Sequence, residues 1–139
     1  SCLDARIDPA HLFEVPLGES LIIRNLGGRV TPDLEQEVAL LAAMFKQMGA
    51  PPPEIVLIHH TDCGMERLVN PQLQAGLSKV TGLPAERIAQ LAIHDHDDSL
   101  RQDLEALRGS GIVPDGLEVF GLRFDHESGQ LQIRFQETT

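Results

Sequence analysis

Tryptophan and tyrosine are absent from the chain, and five phenylalanines are its only other large aromatic residues. Single-stranded nucleic acid is gripped by stacking on such side chains, and any phosphate backbone is gripped by excess Lys and Arg. Here 21 acidic residues stand against 11 basic ones, a formal charge of −10, so no nucleic acid is expected as a partner. No apolar run reaches the roughly 20 residues of a membrane helix, which leaves no membrane role. Cysteine is scarce as well. Two occur, enough for one disulfide at most, and each sits among other ligand-type residues. That placement favours metal or catalytic chemistry in a reducing, cytoplasmic setting over a secreted staple. Internal repeats, low-complexity tracts and linker-like stretches are missing too, so residues 1–139 read as one domain large enough for a core. Because the chain opens directly on a chemically loaded motif, sequence upstream of it is expected to be missing.

What is present is an alternation of short apolar runs with helical patterns, the mark of an α/β fold on a mainly parallel sheet. Ser20–Arg24 (SLIIR) reads as a buried strand, followed by Gly27 and Gly28, which suit a tight turn better than a phosphate cradle. From Asp33 to Met48 the residues Leu34, Val38, Leu41, Ala42 and Phe45 recur at three and four positions and make one helix face. Thr31 or Asp33 caps that helix, and Gly49 with three prolines ends it. Glu54–His59 (EIVLIH) has the composition of a central strand covered on both faces. Ser99–Leu107 reads as a helix capped by Asp98 or Ser99 and stopped at Gly109. Leu117–Phe124 and Gln130–Phe135 read as a hairpin across DHESG, giving an antiparallel edge strand.

Chemistry concentrates in two motifs, CLDAR at Cys2–Arg6 and HHTDC at His59–Cys63. Two thiolates, Cys2 and Cys63, and one imidazole, His60, leave a fourth tetrahedral position open, which separates catalytic from structural zinc sites. In an extended segment Cys2, Asp4 and Arg6 point to one side, roughly 6.6 Å apart at about 3.3 Å per residue. Cys2 can then hold a metal while Arg6 pins the Asp4 carboxylate just beyond it. With the two motifs on neighbouring strands, the donors meet at the carboxyl end of a parallel sheet, where open α/β folds carry their sites.

CLDAR, RNLGGRVT and HHTDCGM together resemble the corresponding motifs of the β-class carbonic anhydrases, in particular the short microbial type. The resemblance implies zinc on Cys2, His60 and Cys63, with Asp4 and Arg6 as the dyad that orients its water. It also implies a mostly parallel five-stranded sheet flanked by helices and a homodimer or dimer-based homo-oligomer. The N-terminal strand and helices that precede CLDAR in the family do not occur in these residues. Two further departures stand out: Leu26 replaces the alanine usual in the family, and neither the tryptophan nor the tyrosine of a non-catalytic bicarbonate site is present.

The activity implied is reversible hydration of carbon dioxide to bicarbonate by zinc-bound hydroxide, with Leu26, Val30 and Met65 as candidates for a small apolar pocket wall. Asp4 is expected to stay on Arg6 and leave the metal open. Leu26 keeps a second substrate class in view, carbonyl sulfide or carbon disulfide hydrolysed on the same scaffold. A non-catalytic, zinc-stabilised assembly module is a further alternative, and a Cys/His hydrolase, which would leave the second cysteine idle, a weaker one. Outside the two motifs, His59 reads as a packed residue and not a ligand. The run His94–Asp98 reads as a solvated helix entry, where acidic groups favour the dipole, and His11 and His126 read as surface residues.

Overall fold

The computed structural model describes all 139 residues. In chain order it contains α1 (Pro9–Leu12), α2 (Pro32–Gln47), β1 (Ile55–His60), α3 (Pro71–Thr81), α4 (Ala85–Ala89), α5 (His96–Gly109), β2 (Glu118–Phe124) and β3 (Leu131–Thr138). A 3₁₀ turn at Leu26–Gly28 and a six-residue 3₁₀ segment at Gly64–Val69 complete it. β1 pairs in parallel with β2, and β2 pairs antiparallel with β3. The hairpin and its antiparallel edge strand therefore form as the sequence implies. Asp125 closes the connecting turn by accepting from the Ser128 backbone N–H and hydroxyl.

α2 starts where its cap predicts, with Thr31 Oγ1 accepting from the Leu34 N–H at 3.3 Å. α5 begins three residues earlier than its expected span, because Asp95 and neither Asp98 nor Ser99 is the cap; its carboxylate accepts from the N–H groups of Asp97 and Asp98. Both helices lie on one side of the sheet. Val38 and Ala42 of α2, Leu100, Leu104 and Leu107 of α5, and Leu57 and Val119 of the strands share one core, joined by Val113 and Leu117. Each fully buried leucine there contributes about 1.5–3 kcal/mol. Ile58, Leu122 and Phe124 bury against Ile7 on the opposite side.

The sheet has three strands where five are expected, and β1 lies at its edge where a central position is expected. Ser20–Arg24 is not a strand, and Leu21 and Ile22 are exposed. The physical reason is that no strand lies between Ser20–Arg24 and β1. This segment runs beside Ser1–Leu3, with Asn25 bridging Cys2 in parallel, and stands off from β1 across an apolar cavity of about 310 Å³. Across that gap no backbone ladder can close, and Val56, the second residue of β1, keeps 44% of its surface exposed.

Candidate metal centre

Cys2, His60 and Cys63 converge. Their donor atoms all lie within 4.8 Å of one another, and all three residues are buried. The two sulfurs are 3.9 Å apart, too far for a disulfide bond of about 2.05 Å. A tetrahedral ion with sulfur bonds of about 2.3 Å would hold them about 3.8 Å apart. The local chain explains the convergence. His60 ends β1, Asp62 adopts a left-handed backbone (φ 56°), and Cys63 follows as the residue that opens the Gly64–Val69 turn. Cys2 reaches them because Gly28 (φ 68°) lets two backbones pass. A Cβ there would fall within 2.9 Å of Cys2 N and Ile58 O. Gly28→Ala is therefore expected to lower stability by about 1–3 kcal/mol and weaken metal retention with it. Thermal melts and chelator competition check both, and parental values in both would mean the Gly28 turn moves aside freely.

The donor set fits a cation. His60 Nδ1 donates to the Thr61 carbonyl at 3.0 Å, which leaves the lone pair on Nε2. That Nε2 is buried and has no hydrogen-bond partner, the expected condition of a ligand atom awaiting an ion. At Cys2, hydrogen bonding with the Cys63 thiol outweighs burial and, with His60 and the N–H groups of Asp4 and Gly27, lowers the pKa well below that of a free thiol. The thiolate so favoured, together with burial, pushes Cys63 upward. At His60 burial opposes the imidazolium, but the Cys2 sulfur outweighs it and the net direction is upward. A divalent cation held here would replace these shared protons, so its binding would release protons and weaken as pH falls.

Asp4 and Arg6 meet as expected, by a different route. The segment is not extended past Asp4: Ile7 N–H bonds to the Asp4 carbonyl, and the turn folds Arg6 back. Arg6 then donates to Asp4 Oδ1 from its backbone N–H and Nε, both at 2.9 Å, and to Oδ2 from a terminal nitrogen at 2.7 Å. These bonds hold the Asp4 carboxyl well below the usual carboxylate range. Arg24, not anticipated from sequence, fixes the turn from behind by donating to the carbonyls of Cys2, Asp4 and Ile7.

Two networks brace the site, one buried and one half-buried. His59 is packed, as expected, and its Nε2 lies 2.9 Å from Asp103 Oδ2 on α5. Asp103 also accepts from Arg29 Nε at 3.0 Å, while one terminal nitrogen of that guanidinium donates to the carbonyls of Gln90 and Ala92 and the other to Gln102 Oε1. Sequence reading missed this triad. Its one signal is a charged residue at position 103 within the buried stripe Leu100, Leu104, Leu107. The second network runs through Glu66 Oε1, which accepts from the Cys63 backbone N–H and sits 2.9 Å from His96 Nε2. The run His94–Asp98 is thus a helix entry in which Asp95 caps and Asp97 pairs with Arg123 and Arg134. Of the three pocket-wall candidates, Met65 packs with Ile93 against both thiols. Leu26 and Val30 instead line a separate cavity of about 450 Å³ with Leu3, Arg87 and Leu91.

A family model described as carbonic anhydrase matches residues 1–131. This chain belongs to the β-carbonic anhydrase family. β-Carbonic anhydrase 1 of Mycobacterium tuberculosis is 28% identical over 131 residues, covering 94% of this chain and 77% of that protein. A carbon disulfide hydrolase of Acidianus sp. is 25% identical over 166 residues, covering all of this chain and 79% of that protein. Among solved structures, a carbonic anhydrase of Streptococcus mutans superposes with a TM-score of 0.79 at 28% identity, covering 96% of this chain and 78% of that one. The chain is therefore an enzyme of this α/β type, with a Cys, His, Cys group able to bind a metal. No helix is long and apolar enough to cross a membrane.

Proposed function

We propose that the enzyme hydrates carbon dioxide reversibly to bicarbonate at a zinc ion held by Cys2, His60 and Cys63. The observation that carries this reading is the buried, unpartnered His60 Nε2 facing two sulfurs 3.9 Å apart. When bound, zinc supplies Lewis acidity that makes water a nucleophile near neutral pH. Asp4 supplies direction. With both oxygens held by Arg6, its remaining lone pairs can accept a hydrogen bond from the attacking water and aim it. Because Asp4 is tied to Arg6 and lies outside the converging donor group, the fourth metal position is left to water and substrate. Met65 and Ile93, packed against the thiols, keep bulk water from one side of the site. Asp4→Asn is expected to retain zinc and lose about 10- to 100-fold in rate. Metal analysis beside stopped-flow hydration checks it, and a full-rate asparagine variant would remove Asp4 from the mechanism.

A second substrate class, carbonyl sulfide or carbon disulfide, is favoured by the likeness to the Acidianus carbon disulfide hydrolase. Leu26 bears on that choice less directly than its sequence position implies, since it lines the outer cavity with Leu3. Paired assays, hydration of carbon dioxide against release of hydrogen sulfide, separate the two.

The finer architecture belongs to the same reading. A strand seated in the cavity between Ser20–Arg24 and the free edge of β1 would bring the sheet to five and convert both flanking segments into ladder partners. Residues 1–139 then form one domain. Exposed apolar residues Leu40 and Met44 on α2 and Met48 at its C-cap, one turn apart, support a homodimer or a multiple of dimers. The two free cysteines suit a reducing, cytoplasmic setting.

A further inference from the structure

Asp62 stands between two proposed ligands and is otherwise an ordinary surface residue, with 72% of its side chain exposed. Its backbone is unusual. Of the non-glycine residues only Asp62 and Glu14 have positive φ, and Asp is among the few that tolerate that region. Its contacts are directed at one partner. Arg6 donates to Asp62 Oδ2 at 2.7 Å and to the Asp62 carbonyl at 2.9 Å. The same guanidinium donates to both oxygens of Asp4, so four of its five N–H groups are committed, two to each aspartate. The guanidinium thus lies between two carboxylates. Held by Asp4 alone, the Arg6 side chain, 38% exposed, would be tied only to its own turn, in which its backbone N–H also bonds to Asp4 Oδ1. Held from both sides, it is fixed relative to the turn that carries His60 and Cys63.

We propose that Asp62 is a positioning residue: it clamps Arg6 from the side opposite Asp4 and thereby fixes the direction of the Asp4 carboxylate relative to the metal-binding turn. The proposal deepens the proposed function, since it rests on Asp4 as the group that orients water. It assigns Asp62 no contact with metal or substrate. The left-handed backbone forms the turn, and the carboxylate then transmits that turn's position to Asp4 through Arg6.

The test uses Asp62→Gly, which keeps the backbone freedom and removes the carboxylate, with Asp62→Asn as the conservative variant. Zinc content is expected to match the parent in both. In Asp62→Gly, kcat should fall about tenfold with KM little changed, whereas Asp62→Asn, which still accepts from Arg6, should recover most of the rate. In an Arg6→Ala background, Asp62→Gly should have no further effect, because the clamp then has nothing to hold. A purely structural role would instead add to the Arg6→Ala loss. Solvent exchange of the Arg6 Nε–H, followed by NMR, reads the clamp without any turnover, and Asp62→Gly should accelerate it about tenfold. Unchanged exchange overturns the proposal whatever the assays give. Accelerated exchange in a zinc-loaded parent that turns over neither gas would sustain the clamp and sink the functional reading instead.

Discussion

Cys63→Ala is expected to abolish metal retention and turnover together while leaving the fold in place. Three buried donors meet at one point, and removing one leaves Cys2 and His60, an imidazole and a thiolate with two positions to be filled by water. Structural zinc sites with full ligand sets bind with about 10–16 kcal/mol, so the loss of one anionic donor is a large fraction of the affinity. The small cavity left at Cys63, against Met65 and Ile93, costs far less than the metal. Purified variant protein should therefore carry little zinc, show background hydration and keep the parental circular dichroism spectrum. A variant that binds zinc in parental amount and turns over normally would take Cys63 out of the site. Unfolding of the variant would assign Cys63 to folding as well.

Asp103→Ala carries the largest expected effect on stability, about 3–5 kcal/mol. Arg29 is 6% exposed and Asp103 1%, and the Asp103 carboxylate accepts from Arg29 Nε through both oxygens. Truncation leaves a guanidinium buried with its Nε–H unmatched and His59 Nε2 without its only partner. The carbonyls of Gln90 and Ala92 still accept from Arg29, but they do not cancel its charge. For a chain of this length the midpoint of thermal unfolding should fall by about 10–20 °C. Asp103→Asn, which preserves shape and one acceptor, should recover part of the loss. A melt within a degree or two of the parent would mean that water enters the site and solvates Arg29. Since His59 precedes His60 and packs edge-on against the His96 ring at 6.3 Å, the same variant is expected to loosen zinc.

Both experiments fall on opposite sides of what sequence alone made legible. The convergent Cys2, His60, Cys63 group could be read because its donors are rare residue types, two cysteines in the whole chain and a histidine three positions from one of them. α2 could be read because its apolar spacing and its Thr31 cap are local signals, and the β2–β3 hairpin because its turn chemistry lies between two alternating runs. The Arg29–Asp103–His59 triad could not. Its members are 74 and 44 residues apart, and only folding brings an α5 carboxylate under the end of β1. Ser20–Arg24 shows the converse failure: a β-branched run predicts strand, but a strand is a pairing, and this one has a cavity where its neighbour would lie. At Asp4 and Arg6 the pairing was right and the geometry wrong, since a turn achieves what alternation along a strand was expected to do.

X-ray absorption at the zinc edge of the purified enzyme measures the coordination sphere on which this account depends. Two sulfur scatterers at about 2.3 Å and two nitrogen or oxygen scatterers at about 2.0–2.1 Å are expected, one of them exchangeable with a small anion. A sphere without sulfur, or one closed by four protein donors that no anion displaces, would contradict it.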